Sequence, residues 1–120
     1  MVFDLNSTDE LALDCAYPHL FSPLRLAGMR LKNRIVHAAM STRFAARGRV
    51  TQRLIDYHEN RARGGAALLV SETMNLLSKQ NAAHKVSVRR PDNAAALERW
   101  AAAVRKHDSH LLAQIQDPGH

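Results

Sequence analysis

A chain of 120 residues with 46% apolar and 23% charged side chains has room for one ordinary domain with its own core, and is too apolar to be disordered along its length. Its formal net charge of +6 attracts anions in general, but the arginines are scattered and do not alternate with aromatic residues, which argues against a nucleic-acid partner. The single cysteine, Cys15, excludes an internal disulfide and a thiolate-rich metal site; with no secretory pattern in the acidic start MVFDLNSTDELALD and no stretch near the roughly 20 apolar residues of a membrane span, a soluble cytoplasmic protein is expected.

Residues 1–16 read as a flexible acidic arm, and 17–120 as the folded part. Two prolines and a glycine break YPHLFSPLRLAGM into short pieces, and Leu24, Leu26 and Leu31 alternate around Ala27-Gly28, the pattern of a small hairpin. Arg30, Lys32 and Arg34 read as a solvated face. The run from Ile35 to Met40 then reads as a strand buried on both faces. Within it His37 is out of place, and a hydrogen bond to a neighbouring group is expected for it.

Thr51 can cap a helix running through QRLIDYHENRAR, and Gly64-Gly65 can close it in the left-handed conformation. A second buried strand is expected from Ala66 to Met74, followed by a polar loop over 75–91 with a strand-like alternation at Val86 and Val88. Pro91-Asp92 signals a second helix, from Asn93 to about His107, whose apolar face includes Trp100 and packs on a sheet. A third strand follows at Leu111 to Ile115, and Pro118-Gly119 stops it. His107 and His110 are separated by the helix end and read as solvated side chains, not metal ligands.

Hairpin, strand, helix, strand, helix, strand is the order of an α/β fold with parallel strands joined by helical crossovers. Parallel strands place their carboxyl ends on one side of the sheet, where ligand sites collect. Ser41, Thr73 and Gln114 would therefore lie within reach of one ligand. Hydroxyls and a carboxamide set against small-residue backbone suit a planar heterocycle with a carbonyl and ring nitrogens. On the residues alone, a small self-standing α/β module that binds a ligand or partner without catalysis reads equally from this pattern.

Three blocks, LFSPLRLAGMRLKNRIVHAAMST, GRVTQRLIDYHENRARGGAALLVSE and LLAQIQDPG, resemble the amino-terminal part of the Old Yellow Enzyme-like NADH:flavin oxidoreductases, in the branch of 2,4-dienoyl-CoA reductase and trimethylamine dehydrogenase. The resemblance implies a partial TIM (β/α)8 barrel, its first three βα units preceded by the hairpin. It implies FMN, with NAD(P)H as reductant, and a small-molecule substrate, either an activated alkene that is reduced or an amine that is oxidised. It places Ala38, Ala39, Met40 and Ser41 along the flavin, and Thr73 and Gln114 against its pyrimidine edge. No catalytic and no metal-binding residue is assigned to these residues, and a 4Fe-4S cluster would belong to a later part of such a barrel. Arg43 departs from the aromatic residue that several shorter relatives carry, and His120 from their arginine. Since a full barrel takes about 250 residues, the chain is expected to be an inactive fragment, to expose a strand edge, and to form a homo-oligomer or associate with the missing barrel half.

Overall fold

The computed structural model describes residues 15–76 and 83–117. The expected arm at 1–16, except for Cys15 and Ala16, and the stop at Pro118-Gly119 lie outside the described residues.

A four-residue helix, α1 (Pro18–Phe21), opens the described chain, where the sequence pattern indicates only broken pieces. Proline at its first position has the fixed φ of a helix and no amide hydrogen to leave unpaired. The hairpin follows as β1 (Leu24–Leu26) and β2 (Met29–Leu31), antiparallel, with Leu24 opposite Leu31. Its two turn residues, Ala27 and Gly28, have φ of +47° and +84°. Two consecutive positive φ values give the turn whose twist matches a tight hairpin. Leu24, Leu26 and Leu31 pack on Ala67 and Leu68 at the start of a central strand, so the hairpin closes one end of the sheet.

Three parallel strands form that sheet in the order β3 (Val36–His37), β4 (Leu68–Asn75), β5 (His110–Gln116). The strand expected from Ile35 to Met40 is only two residues long. Beyond His37 the backbone leaves the ladder, and Thr42 is held instead by a side chain of β4. Between β3 and β4 runs α2 (Gln52–Arg63), and between β4 and β5 a 3-10 turn (Pro91–Asn93) leads into α3 (Ala94–Arg105).

Thr51 caps α2 as expected, its hydroxyl accepting from the Leu54 amide at 3.2 Å. At the other end Gly64 stays right-handed at φ −72°, and Gly65 alone takes a positive φ, +113°. Both helices cover the same side of the sheet. Ala62, Ala66, Leu69 and Val104 form one cluster there, while Ile55, Met74, Trp100 and Ala103 belong to a larger one. Trp100 is 1% exposed, in the helix-to-sheet packing expected of it.

Arg30 and Arg34 are exposed, as the solvated face requires, but Lys32 is half-buried and the segment makes specific bonds. Lys32 donates to the His107 carbonyl and, at 3.1 Å, to Ser109 Oγ, while Arg34 Nε donates to Ser22 Oγ at 3.0 Å. Buried Asn33 donates to the Gly65 carbonyl at 2.8 Å. These bonds tie the start of β3 to the starts of β4 and β5, because each strand entry leaves backbone carbonyls that need donors. Alternation of charge had concealed that role.

Register partners on parallel strands share a face, so the sheet has two sides of different character. Leu69, Met74 and Leu111 face the helices. The opposite, inner side carries Val36, Leu68, Val70 and Leu112, with Thr73 level with Gln114 and Asn75 level with Gln116. Between Val70 and Thr73 the register slips by one residue, since the matching step on β5 runs only from Leu112 to Gln114. Ser71 and Glu72 occupy this bulge. Its effect is to keep Leu69 and Met74 on the helix side although they are an odd number of positions apart.

Candidate functional site at the strand ends

The carboxyl ends of β3, β4 and β5 lie together on one edge of the sheet because the strands are parallel. Thr73 and Gln114 are direct register partners, and Gln114 N donates to Ser71 Oγ at 3.0 Å across the bulge. The residues after β3 join them through Glu72. Its Oε2 accepts from Thr42 N at 2.8 Å and from Thr42 Oγ1 at 2.6 Å, and Thr42 Oγ1 accepts in turn from Phe44 N at 3.1 Å. Ser41 therefore sits one residue from a tie to the residue that precedes Thr73.

Of the residues read from the sequence, Ala38, Ala39, Met40, Ser41 and Gln114 are exposed and Thr73 is half-buried. Met40 is 56% exposed, unusual for a large apolar side chain. The loop that carries them is held in a defined shape: Arg43 takes φ +59°, a conformation that costs a non-glycine residue on the order of 1 kcal/mol.

Sequence reasoning gave no role to Glu72, Thr42 or Lys85. Glu72 is only 2% exposed, and its second oxygen, Oε1, is buried without a hydrogen-bond partner among the described residues. A buried carboxylate oxygen demands a donor, so this atom marks an unfinished polar site at the strand ends. The signal was a lone acid inside the apolar run AALLVSETM. Lys85 gave no such signal, since only the fold carries its loop to the strand ends. Its Nζ donates to Thr73 Oγ1 at 2.6 Å and to Gln116 Oε1 at 2.8 Å.

Behind the site, on the helix side, His37, Tyr57, His58 and Trp100 form a chain of edge-on ring contacts. His37 Nε2 lies 3.4 Å from the Tyr57 hydroxyl, so this histidine belongs to the covered face and not to the strand-end rim. His58 is fully buried, with Nδ1 3.1 Å from the Leu54 carbonyl. Burial pushes its pKa down to about 4, against the raising effect of the Leu54 and Val70 carbonyls and with the help of nearby His37 and Arg61. Burial, followed by the charge of Arg61, lowers His37 as well. His107 and His110 are far apart in role: the first lies 3.4 Å from Glu59 Oε1, the second 3.2 Å from the Arg30 carbonyl of the hairpin. Among the described residues no helix is long and apolar enough to cross a membrane.

The residues at the rim are of types that could hold a flat, polar-edged ring such as a flavin. Small side chains at 38, 39 and 41 let a flat ring approach the backbone, and the exposed carboxamide of Gln114 can both donate and accept along the edge of a pyrimidine. Comparison with known proteins identifies the family. An NADH oxidase from Thermoanaerobacter brockii is 35% identical over 106 residues, covering 86% of this chain and 16% of that protein. A metal reductase from Desulforamulus reducens is 32% identical over 100 residues, 83% of this chain and 15% of its own length. The chain thus spans about one-sixth of the curated relatives it matches. Among solved structures, an Old Yellow Enzyme from Pichia superposes with a TM-score of 0.77 at 21% identity, over 84% of this chain and 27% of that one, and shows the α/β fold to be part of such a barrel. The sequence profile of the NADH:flavin oxidoreductase / NADH oxidase family matches residues 19–120, and the chain belongs to that family.

Proposed function

We propose that these residues supply one wall of an FMN site in an NAD(P)H-dependent oxidoreductase, contributed by the first three βα units of its barrel. The observation that carries this reading is the meeting, at one sheet edge, of the Ala38–Ser41 segment with the register pair Thr73 and Gln114. FMN bound there would supply hydride transfer between the nicotinamide and a small substrate, an activated alkene or an amine. The chain's own residues do the holding. Ala38 and Ala39 admit the ring by their small size, Met40 packs against it, and Ser41 offers a hydroxyl. Thr73 and Gln114 bond its polar edge, and Glu72 fixes the Ser41 loop through Thr42.

The remaining strands of the barrel, an iron–sulfur cluster if one is present, and any second copy would come from outside these residues, in a cytoplasmic enzyme. Such a barrel would cover the inner face and continue the sheet beyond β5.

Visible absorbance tests this directly. Protein expressed from the complete reading frame should purify with a flavin spectrum, or gain one on incubation with FMN. Gln114→Ala should weaken FMN binding by about 1–3 kcal/mol, the cost of one or two hydrogen bonds. A folded protein that stays colourless after incubation would remove the FMN reading and favour a ligand-binding module without redox chemistry.

A further inference from the structure

The loop carrying Lys85 is fastened to the end of β4 at several points. Asn75 N donates to the Val86 carbonyl at 2.8 Å and Val88 N to the Asn75 carbonyl at 3.1 Å, so the loop runs beside the strand as a short extra ladder. Val86 is fully buried in the larger apolar cluster. On the far side Ser87 N donates to the Gly48 carbonyl at 2.9 Å, and Arg47 N to the Ala83 carbonyl at 2.7 Å. Asn93 completes the clamp by donating to the Gly48 and Ser87 carbonyls at 2.7 and 2.8 Å.

This scaffold aims Lys85 at the inner face. Its two acceptors, Thr73 Oγ1 and Gln116 Oε1, come from neighbouring strands, the first level with Gln114 and the second two residues beyond it. Both are neutral, and an ammonium has three donors with a full charge to satisfy. A half-buried lysine held in this way costs side-chain entropy that two neutral bonds do not obviously return. The same arrangement suits an anionic oxygen, because a cation whose position is fixed before binding makes a shorter, stronger charge-assisted bond.

We infer that Lys85, held between Thr73 and Gln116 at the strand ends, is the anion-recognising group of this site and takes the carboxylate of a small organic substrate. The inference rests on the FMN reading for the reaction, but its binding test does not. Thr73 and Gln116 set the position of the ammonium, and Gln114 remains available to the ring. The reaction would then favour acids over their neutral amides.

The test uses protein from the complete reading frame, with butanoate and its uncharged analogue butanamide as probes, followed by calorimetry and by the shift of any flavin absorbance. Wild type should bind butanoate more tightly than butanamide. Lys85→Met should weaken butanoate by about tenfold or more while moving butanamide less than about twofold, and Lys85→Arg should keep most of the preference. Lys85→Gln, with circular dichroism on each variant, guards against a folding defect in the methionine variant. Equal binding of the two probes by wild type, equal loss of both in Lys85→Met, or no change at all would overturn the inference. So would selective loss of FMN over riboflavin in Lys85→Met, which would assign the ammonium to the flavin phosphate. A colourless protein that still prefers butanoate through Lys85 would remove the FMN reading and leave the anion site standing.

Discussion

The two faces of the β3-β4-β5 sheet are finished to different degrees. Toward the helices, Leu69, Met74, Trp100 and Val104 are all buried, and the apolar side chains interlock in continuous clusters. On the inner side Leu112 is 50% and Val36 51% exposed, and the polar ends of the strands lie open. Among the described residues the hairpin packs on that side, at the starts of the strands. The contrast separates a face that holds the chain together from one whose apolar side chains and polar strand ends stay open, the face on which the proposed site lies.

Substitutions should separate the two faces by size of effect. Trp100→Ala on the covered face should cost about 3–5 kcal/mol and abolish cooperative unfolding by denaturant. An effect under about 1 kcal/mol would mean that the helices are only loosely docked. The next largest effect should come from pH. His58 has its pKa depressed in the folded chain, so the unfolded chain binds more protons below neutrality. Stability is therefore complete above about pH 6.5 and falls as the pH drops through 6.5 toward about 4, the lowered His37 adding in the same direction. Melting temperatures across that window should fall steeply for the native chain and less steeply for His58→Leu. Parallel slopes would place the buried titration elsewhere.

Glu72→Ala should cost about 2 kcal/mol, because both Thr42 donors lose their acceptor. Amide exchange of residues 42–44 should accelerate with it, and unchanged exchange would detach Glu72 from the loop. In the hairpin, Ala27→Gly should stabilise by about 1 kcal/mol, since alanine pays for its left-handed backbone there. Smallest of all, Leu112→Ser on the open face should change stability by less than about 1 kcal/mol and reduce self-association. A large loss would show that the inner face is already packed.

Much of the covered face was legible in the sequence. Thr51, the Gly64-Gly65 pair and the spacing of Leu54, His58 and Ala62 define α2 by local chemistry. The hairpin was equally plain from Leu24, Leu26 and the turn at Ala27-Gly28. The rim was legible as residue types, but not as geometry. The strand expected through Met40 stops at His37, because Glu72, distant in sequence, captures Thr42 and takes the place of ladder bonds. Lys32 looked solvated because the His107 carbonyl it bonds is brought to it only once the strands have assembled. Lys85 was illegible for the same reason. Its meaning comes from Val86, Gly48 and Asn93 folding its loop against β4.

The extra residue between Val70 and Thr73 decides which way the end of this strand faces. Deleting one position there would restore even pleating and leave Thr73 level with Gln114 and Met74 toward the helices, whereas pairing the strand at its present length without the bulge would turn Thr73 toward the helices and send Met74 to the inner side. The bulge itself, and no single side chain, thus keeps core and open surface from changing places.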